Sequence, residues 1–255
     1  MPAWSLLTGG SSAVAGDWFA NEFIRARAAL TNAAFDTILG FDFSETITTE
    51  IVDGIGAFSA SPVDTGGSGG ILEVVAGVGD AITNPSQVRM QPTGCGRHVQ
   101  NLRSTFWYMS ALARLEADDT YDFGNSAADA LALWNDDDNR VTLGLLGNAS
   151  GGSATNWCGR AELAAGNATT LGPLINPSSL GGRWTKFAMW NDPIGGLLHF
   201  AVNDTEFAGT LPSTDAPNSA GTIGPILQRT AVGGPVRMWW DKLALIVTSP
   251  SVGTT

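Results

Sequence analysis

The stretch Arg183-Trp-Thr-Lys-Phe-Ala-Met-Trp-Asn-Asp192, the run Leu197-Leu-His-Phe-Ala-Val202 and the run Val236-Arg-Met-Trp-Trp-Asp-Lys-Leu-Ala-Leu-Ile-Val247 decide the fold class. Each is rich in β-branched, aromatic and aliphatic residues, and each is bounded by turn formers. Asn191-Asp192-Pro193-Ile194-Gly195-Gly196 separates the first from the second, and Asn203-Asp204-Thr205 closes the second. Short β-type runs joined by such corners are the local signature of antiparallel hairpins. Side chains alternate between the faces of a strand, so Trp107, Trp184 and one of Trp239 and Trp240 are expected to face a core.

Working outward, the same pattern recurs along most of the chain. Ile38 to Ile51, Ile71 to Val78 and Gln87 to Met90 read as strands. Val99 to Leu115 is the longest strand candidate, long enough to call for a bend or bulge. Ala130 to Trp134 and Val141 to Leu143 flank the hairpin tip Asn135-Asp136-Asp137-Asp138-Asn139. Gly147 to Ser153 and Ala165 to Thr170 read as turns, with Ala154 to Ala164 between them as an irregular or short edge strand. The 255 residues include 32 glycines, 44% hydrophobic and only 15% charged residues, a composition that suits many short strands and tight turns. The chain therefore divides into an N-terminal arm with a short helix (1–35), an all-β antiparallel sandwich (36–250) and a polar tail (251–255).

The arm has Trp4, Leu6 and Leu7 as its bulky anchors. Asp17 is placed to cap a helix on which Phe19, Phe23, Ala26 and Leu30 fall at helical spacing. Such a stripe normally packs on its own domain. The sharper alternative makes Trp4, Leu6, Leu7, Trp18, Phe19 and Phe23 an interface with a neighbouring subunit.

A net charge of −11, with Lys186 and Lys242 the only lysines, argues against a nucleic-acid partner, because phosphate binding needs a basic face. The sequence holds no apolar run of 18 residues and no secretory leader pattern, so neither membrane insertion nor secretion is expected. Cys95 and Cys158 permit one disulfide and match no zinc spacing, and they read as isolated buried thiols.

No catalytic, cofactor or metal site is expected. Retaining sugar hydrolysis needs two carboxylates on one strand face, and no Glu-x-Asp-x-x-Glu run is present. A Gly-x-Ser-x-Gly elbow and a phosphate loop ending in Gly-Lys-Ser/Thr are also missing. Asp136 to Asp138 lack the oxygen spacing of an EF-hand loop and read as a solvated acidic turn. Of the nine tryptophans, Trp134, Trp157, Trp190 and Trp240 are candidates for stacking on a glycan.

Arg103-Ser-Thr-Phe-Trp-Tyr-Met-Ser-Ala-Leu-Ala-Arg-Leu115, Asp118-Asp-Thr-Tyr-Asp-Phe-Gly124 and Ala130-Leu-Ala-Leu-Trp134 complete a series with the stretches quoted first. Over roughly Phe35 to Val247 that series resembles the concanavalin A-like jelly rolls of tailed-bacteriophage virion structural proteins. The resemblance implies a jelly-roll sandwich whose first and last strands are neighbours, pairing the Ile38 region with Val236 to Val247. It implies a non-enzymatic virion protein on the outer surface of the particle, foremost a capsid decoration or cement protein. Such a protein bridges capsomers as a homotrimer bound to the major capsid protein. The alternative is a tail-fibre or lectin-like module that recognises host-surface glycans.

Overall fold

The computed structural model describes residues 5–9, 13–35, 37–41, 49–52, 58–63, 71–76, 87–90, 99–117, 127–136, 139–146, 156–174, 184–228 and 236–248. The chain begins with β1 (Ser5–Gly9), α1 (Ala13–Ala29), β2 (Thr37–Phe41), β3 (Thr49–Val52), β4 (Phe58–Val63), β5 (Ile71–Ala76) and β6 (Gln87–Met90). Five long strands follow: β7 (Trp107–Ala117), β8 (Ala127–Asp136), β9 (Asn139–Leu146), β10 (Asn156–Leu163) and β11 (Gly166–Leu174). The last third holds β12 (Thr185–Asp192), β13 (Leu197–Val202), β14 (Thr205–Glu206), β15 (Leu211–Pro212), β16 (Thr222–Gln228) and β17 (Val236–Val247).

These strands form a jelly-roll-like β-sandwich. Its larger sheet runs β1-β2-β17-β7-β12-β13-β14, and its smaller sheet runs β11-β10-β9-β8-β16. β3 and β6 form a separate two-stranded pair. The sequence expectation that the first β region lies beside the last is met: Thr37 to Phe41 pair antiparallel with Val247 to Leu243. β17 is the organising strand. One of its edges follows β7 from Trp107 to Ala117, while the other meets β5 through Val236 to Trp240 and then β2 through Leu243 to Val247. The register slips between Trp240 and Lys242, and this bulge is why Trp240 and Leu243 both face inward despite their odd spacing.

The sheets enclose one apolar core. Trp107, Met109, Phe187, Phe200 and Trp240 of the larger sheet meet Leu131, Leu133, Val141, Leu143 and Leu145 of the smaller. Trp107 and Trp240 are fully buried, and each indole satisfies its N–H on a backbone carbonyl, of Leu102 at 2.9 Å and Ala130 at 3.0 Å. Trp184, expected inside, is instead 39% exposed, because it precedes β12 and escapes the alternation.

Other boundaries shift for identifiable reasons. The strand expected from Val99 begins at Trp107, because the Asn101 side chain accepts the N–H groups of Arg103 and Ser104 and folds 101–105 into a turn. The fully buried Asn191 pins that turn through its Nδ2, which donates to the carbonyls of Arg103 and Thr105. Ala165 to Thr170, read as a turn, falls largely in β11, and the turn is confined to Ala164 and Ala165. The Asn156–Leu163 strand is interior rather than an edge, paired with β9 on one side and β11 on the other. The hairpin expected at the acidic tip is present, with Asp136 opposite Asn139, while 137 and 138 lie outside the described residues.

The outer face of the larger sheet is also covered. α1 starts at Ala13, so Asp17 lies inside it rather than capping it. Its Phe19 and Ala26, with Leu30 just past its end and Phe35, pack on Tyr108, Ala188, Trp190, Ala201, Ala244 and Ile246. Three of those sheet residues are alanine, and Gly40 lies so close that an added Cβ would stand 2.8 Å from the Phe19 ring. The small residues let the helix approach. Ser5–Gly9, expected to be part of an N-terminal arm, pairs parallel with β2, so α1 is the crossover of a βαβ unit. Among the described residues no helix is long and apolar enough to cross a membrane.

Candidate functional site

Where the C-terminal half of α1 ends its cover, the outer face of the larger sheet opens into a cleft of about 520 Å³. Arg25, Ala28 and Ala29 of α1 form one wall, and Tyr108, Trp190 and His199 line the sheet side. Asp204 and Glu206, from the turn after β13 and from β14, complete the rim.

The floor is a cross-strand row. Trp190 on β12 stands directly opposite Tyr108 on β7 and directly opposite His199 on β13. Directly opposed residues of an antiparallel pair lie close enough to touch. Here the three rings stack: Tyr108 and Trp190 have centroids 5.9 Å apart at 27°, and Trp190 and His199 lie 5.1 Å apart at 3°. Trp190 is only 8% exposed, so it presents an edge to the cleft while the half-buried His199 closes the row.

His199 is oriented by Glu206, whose Oε1 lies 2.5 Å from Nδ1. A carboxylate only accepts, so Nδ1 carries the proton, and in the neutral ring Nε2 becomes an acceptor available to a ligand hydroxyl. The tight turn that brings β14 back uses Asn203 and Asp204 at positive φ, 50° and 62°, a conformation that Asn and Asp tolerate better than most residues.

Beneath the cleft lies a buried ion network. Glu22 of α1 is fully buried, yet it meets Lys186 Nζ at 2.9 Å, accepts from Tyr108 Oη at 3.1 Å and contacts Arg25. Lys186 also reaches Asp204 at 2.7 Å. The hydrogen bond from Lys186, reinforced by the charges of Lys186 and Arg25, holds the Asp204 carboxyl below its ordinary range. Burial, and then the Glu22 carboxylate, push the Tyr108 phenol well above its ordinary value. The network ties α1 to β12 and the β13–β14 turn, so the cleft walls are held at a fixed spacing. No group of His, Cys, Asp and Glu among the described residues is arranged to hold a metal ion.

The candidate residues from the sequence fall in several places. Trp190 lines the cleft, whereas Trp240 is fully buried and has no face open to a sugar. Trp157 is 6% exposed and packs edge-on against Phe187 in the core, also with no open face. Trp134 lies in β8 opposite Arg140 and Thr222, with its side chain outside what the structure describes. Phe19, 3% exposed, and Phe23 pack on the protein's own sheet, with the half-buried Trp18 set edge-on to Phe19. Within the chain the apolar stripe is thus covered by the protein's own sheet. Leu6 and Leu7 lie in β1 opposite Ile38 and Leu39, without described side chains, and Trp4 and Cys95 lie outside the described residues. Cys158 is buried. Tyr108, His199, Glu206, Asp204 and Arg25 were not singled out as a site. Their convergence depends on three strand pairings and a helix, which no spacing within one strand encodes.

No protein-family model and no curated protein matches the chain. Solved structures do match. A family 16 glycoside hydrolase endo-glucanase from Bacteroides ovatus is 12% identical with a TM-score of 0.51, over 81% of this chain and 99% of that one. The binding domain of botulinum neurotoxin serotype G is 11% identical with a TM-score of 0.49, over 82% of this chain and 45% of that one. The chain thus spans about half the length of that toxin structure. At such identities the likeness to the endo-glucanase shows a shared jelly-roll fold and nothing finer.

Proposed function

We propose that this protein is a non-catalytic, lectin-like recognition module that holds a saccharide in the cleft between α1 and the β12–β14 edge. The observation that carries this reading is the Tyr108–Trp190–His199 row beneath a rim of Arg25, Asp204 and Glu206. Aromatic edges and faces pack against the apolar C–H patches of a sugar. The rim supplies both donors and acceptors for its hydroxyls, the combination small-ligand sites use for orientation and specificity. The volume lies within the range of such sites, about 300–1,000 Å³. A hydrolytic role is disfavoured, because a general acid needs a raised pKa and Asp204 is held low. The name of the endo-glucanase that shares the fold fits a saccharide ligand.

A glycan array followed by calorimetry tests the reading. His199→Ala removes the end of the aromatic row and the partner of Glu206 without opening the core, so sugar binding is expected to fall at least about tenfold. Failure of every array glycan to bind, or binding unchanged by His199→Ala, would refute the cleft as a saccharide site.

A second reading, capsid decoration by a homotrimer in a tailed-phage virion, draws on the sequence resemblance and on one surface feature. Leu171 and Leu174 on the outermost strand of the smaller sheet are 47% and 77% exposed, and subunit contacts favour apolar surface of this kind. Copy number in purified particles separates the two. Abundance near that of the shell protein supports decoration, and a few copies per particle support receptor recognition.

A further inference from the structure

The outer face of the smaller sheet carries a polar cluster far from α1 in the fold. Arg140 on β9 stands opposite Glu162 on β10, and Arg160 on β10 stands opposite Thr142 on β9. Arg140 Nε donates to Glu162 Oε2 at 2.5 Å, and Arg160 Nη1 lies 3.3 Å from the same oxygen. One carboxylate oxygen therefore serves two guanidiniums. Arg140 is 4% and Arg160 3% exposed, yet Arg140 Nη1 has no hydrogen-bond partner among the described residues. A buried donor attached to a charged group is among the costliest to leave unpaired. The Glu162 side chain keeps 15% of its exposure, so the Nε side of the cluster borders solvent.

We propose that Arg140, with Arg160 beside it, is a recognition site for a carboxylate group carried by a ligand. The planar guanidinium presents parallel N–H donors that match two carboxylate oxygens, and a bidentate bond at Nη1 would satisfy the orphaned donor. Glu162 holds Arg140 from the Nε side and leaves its far end for the incoming anion. The register position beside Glu162 on β11 is Asn167, a residue type suited to the polar part of such a ligand. This site is independent of the cleft under α1.

Thermal unfolding of the full chain in sodium acetate and in sodium chloride at equal ionic strength tests the proposal. Binding to the native state alone raises Tm, by about 2–4 °C at several times Kd for a chain of this size. The wild type and His199→Ala are expected to show this excess in acetate, and the double variant Arg140→Met with Glu162→Gln is expected to lose it. Equal responses to acetate and chloride in the wild type, or an excess that survives in the double variant, would overturn the assignment. If the double variant does not fold, the Arg140 side-chain N–H signals of the wild type decide by NMR. A saturable shift with acetate supports the site, and no shift overturns it.

Discussion

Replacing Glu22 with glutamine keeps the shape of the side chain and removes its charge, which makes it the sharpest probe of how α1 is held. The carboxylate is fully buried, 2.9 Å from Lys186 and 3.1 Å from the Tyr108 hydroxyl. Breaking a buried pair by removing one partner costs about 3–5 kcal/mol. Two features reduce that figure here. Lys186 keeps Asp204 at 2.7 Å, and the Arg25 side chain is 44% exposed, so water takes up much of its lost contact. The glutamine oxygen also still accepts a hydrogen bond. The expected loss is therefore about 2–3 kcal/mol, or roughly 4–12 °C in Tm for a chain of this length. Urea unfolding followed by tryptophan fluorescence measures the free energy, and calorimetry measures the shift. Asp204→Asn is the control. That side chain is 60% exposed, and an exposed pair contributes about 0–1 kcal/mol. The reasoning fails if Glu22→Gln costs less than Asp204→Asn, since the buried carboxylate would then not be the anchor.

Two further perturbations address the same face. Gly40→Ala places a methyl group 2.8 Å from the Phe19 ring, so the helix must shift, at about 1–3 kcal/mol as judged by chemical denaturation. Combining it with Phe19→Leu should cost less than the sum of the two single changes, and strict additivity would show that the ring is not the obstacle. Alkaline titration of stability follows from Tyr108, whose folded pKa is raised. Its contribution is present below the ordinary tyrosine value of about 10 and is lost as pH rises above it. Asp204 acts at the other end, because its lowered folded pKa contributes stability above about pH 4 that is lost on acidification. Tyr108→Phe should flatten the alkaline limb, and an unchanged limb would refute the assignment.

The sheet class was legible because alternation and turn chemistry are local, whereas the pairing of the Ile38 region with the last strand followed from the family resemblance and from no spacing in the sequence. The helix stripe was legible too, since Phe19, Ala26 and Leu30 keep helical spacing whatever they pack against. What escaped was non-local. Gly166-Asn-Ala-Thr-Thr reads as a turn by composition, but pairing with β10 holds it extended, a tertiary context that overrides propensity. The choice between Trp239 and Trp240 depended on a bulge that shifts the phase by one residue. The cleft was the least legible feature. Trp190 acquires Tyr108 and His199 as neighbours only once β12 is flanked by β7 and β13, and no spacing within a strand encodes that flanking.

The pairing of β2 with β17 also bears on how the chain is made. The βαβ unit of β1, α1 and β2 can form early from local contacts, but its docking edge, Leu243 to Val247, is synthesised only after the sandwich strands that lie between. Until then the exposed edge of β2 and the apolar stripe of α1 have no partner. Closing a loop that spans almost the whole chain is entropically slow, and proteins dominated by such long-range pairings are slow folders. The nascent N-terminal unit is thus a segment that must wait, and it is the part of this fold with most need of a chaperone during synthesis.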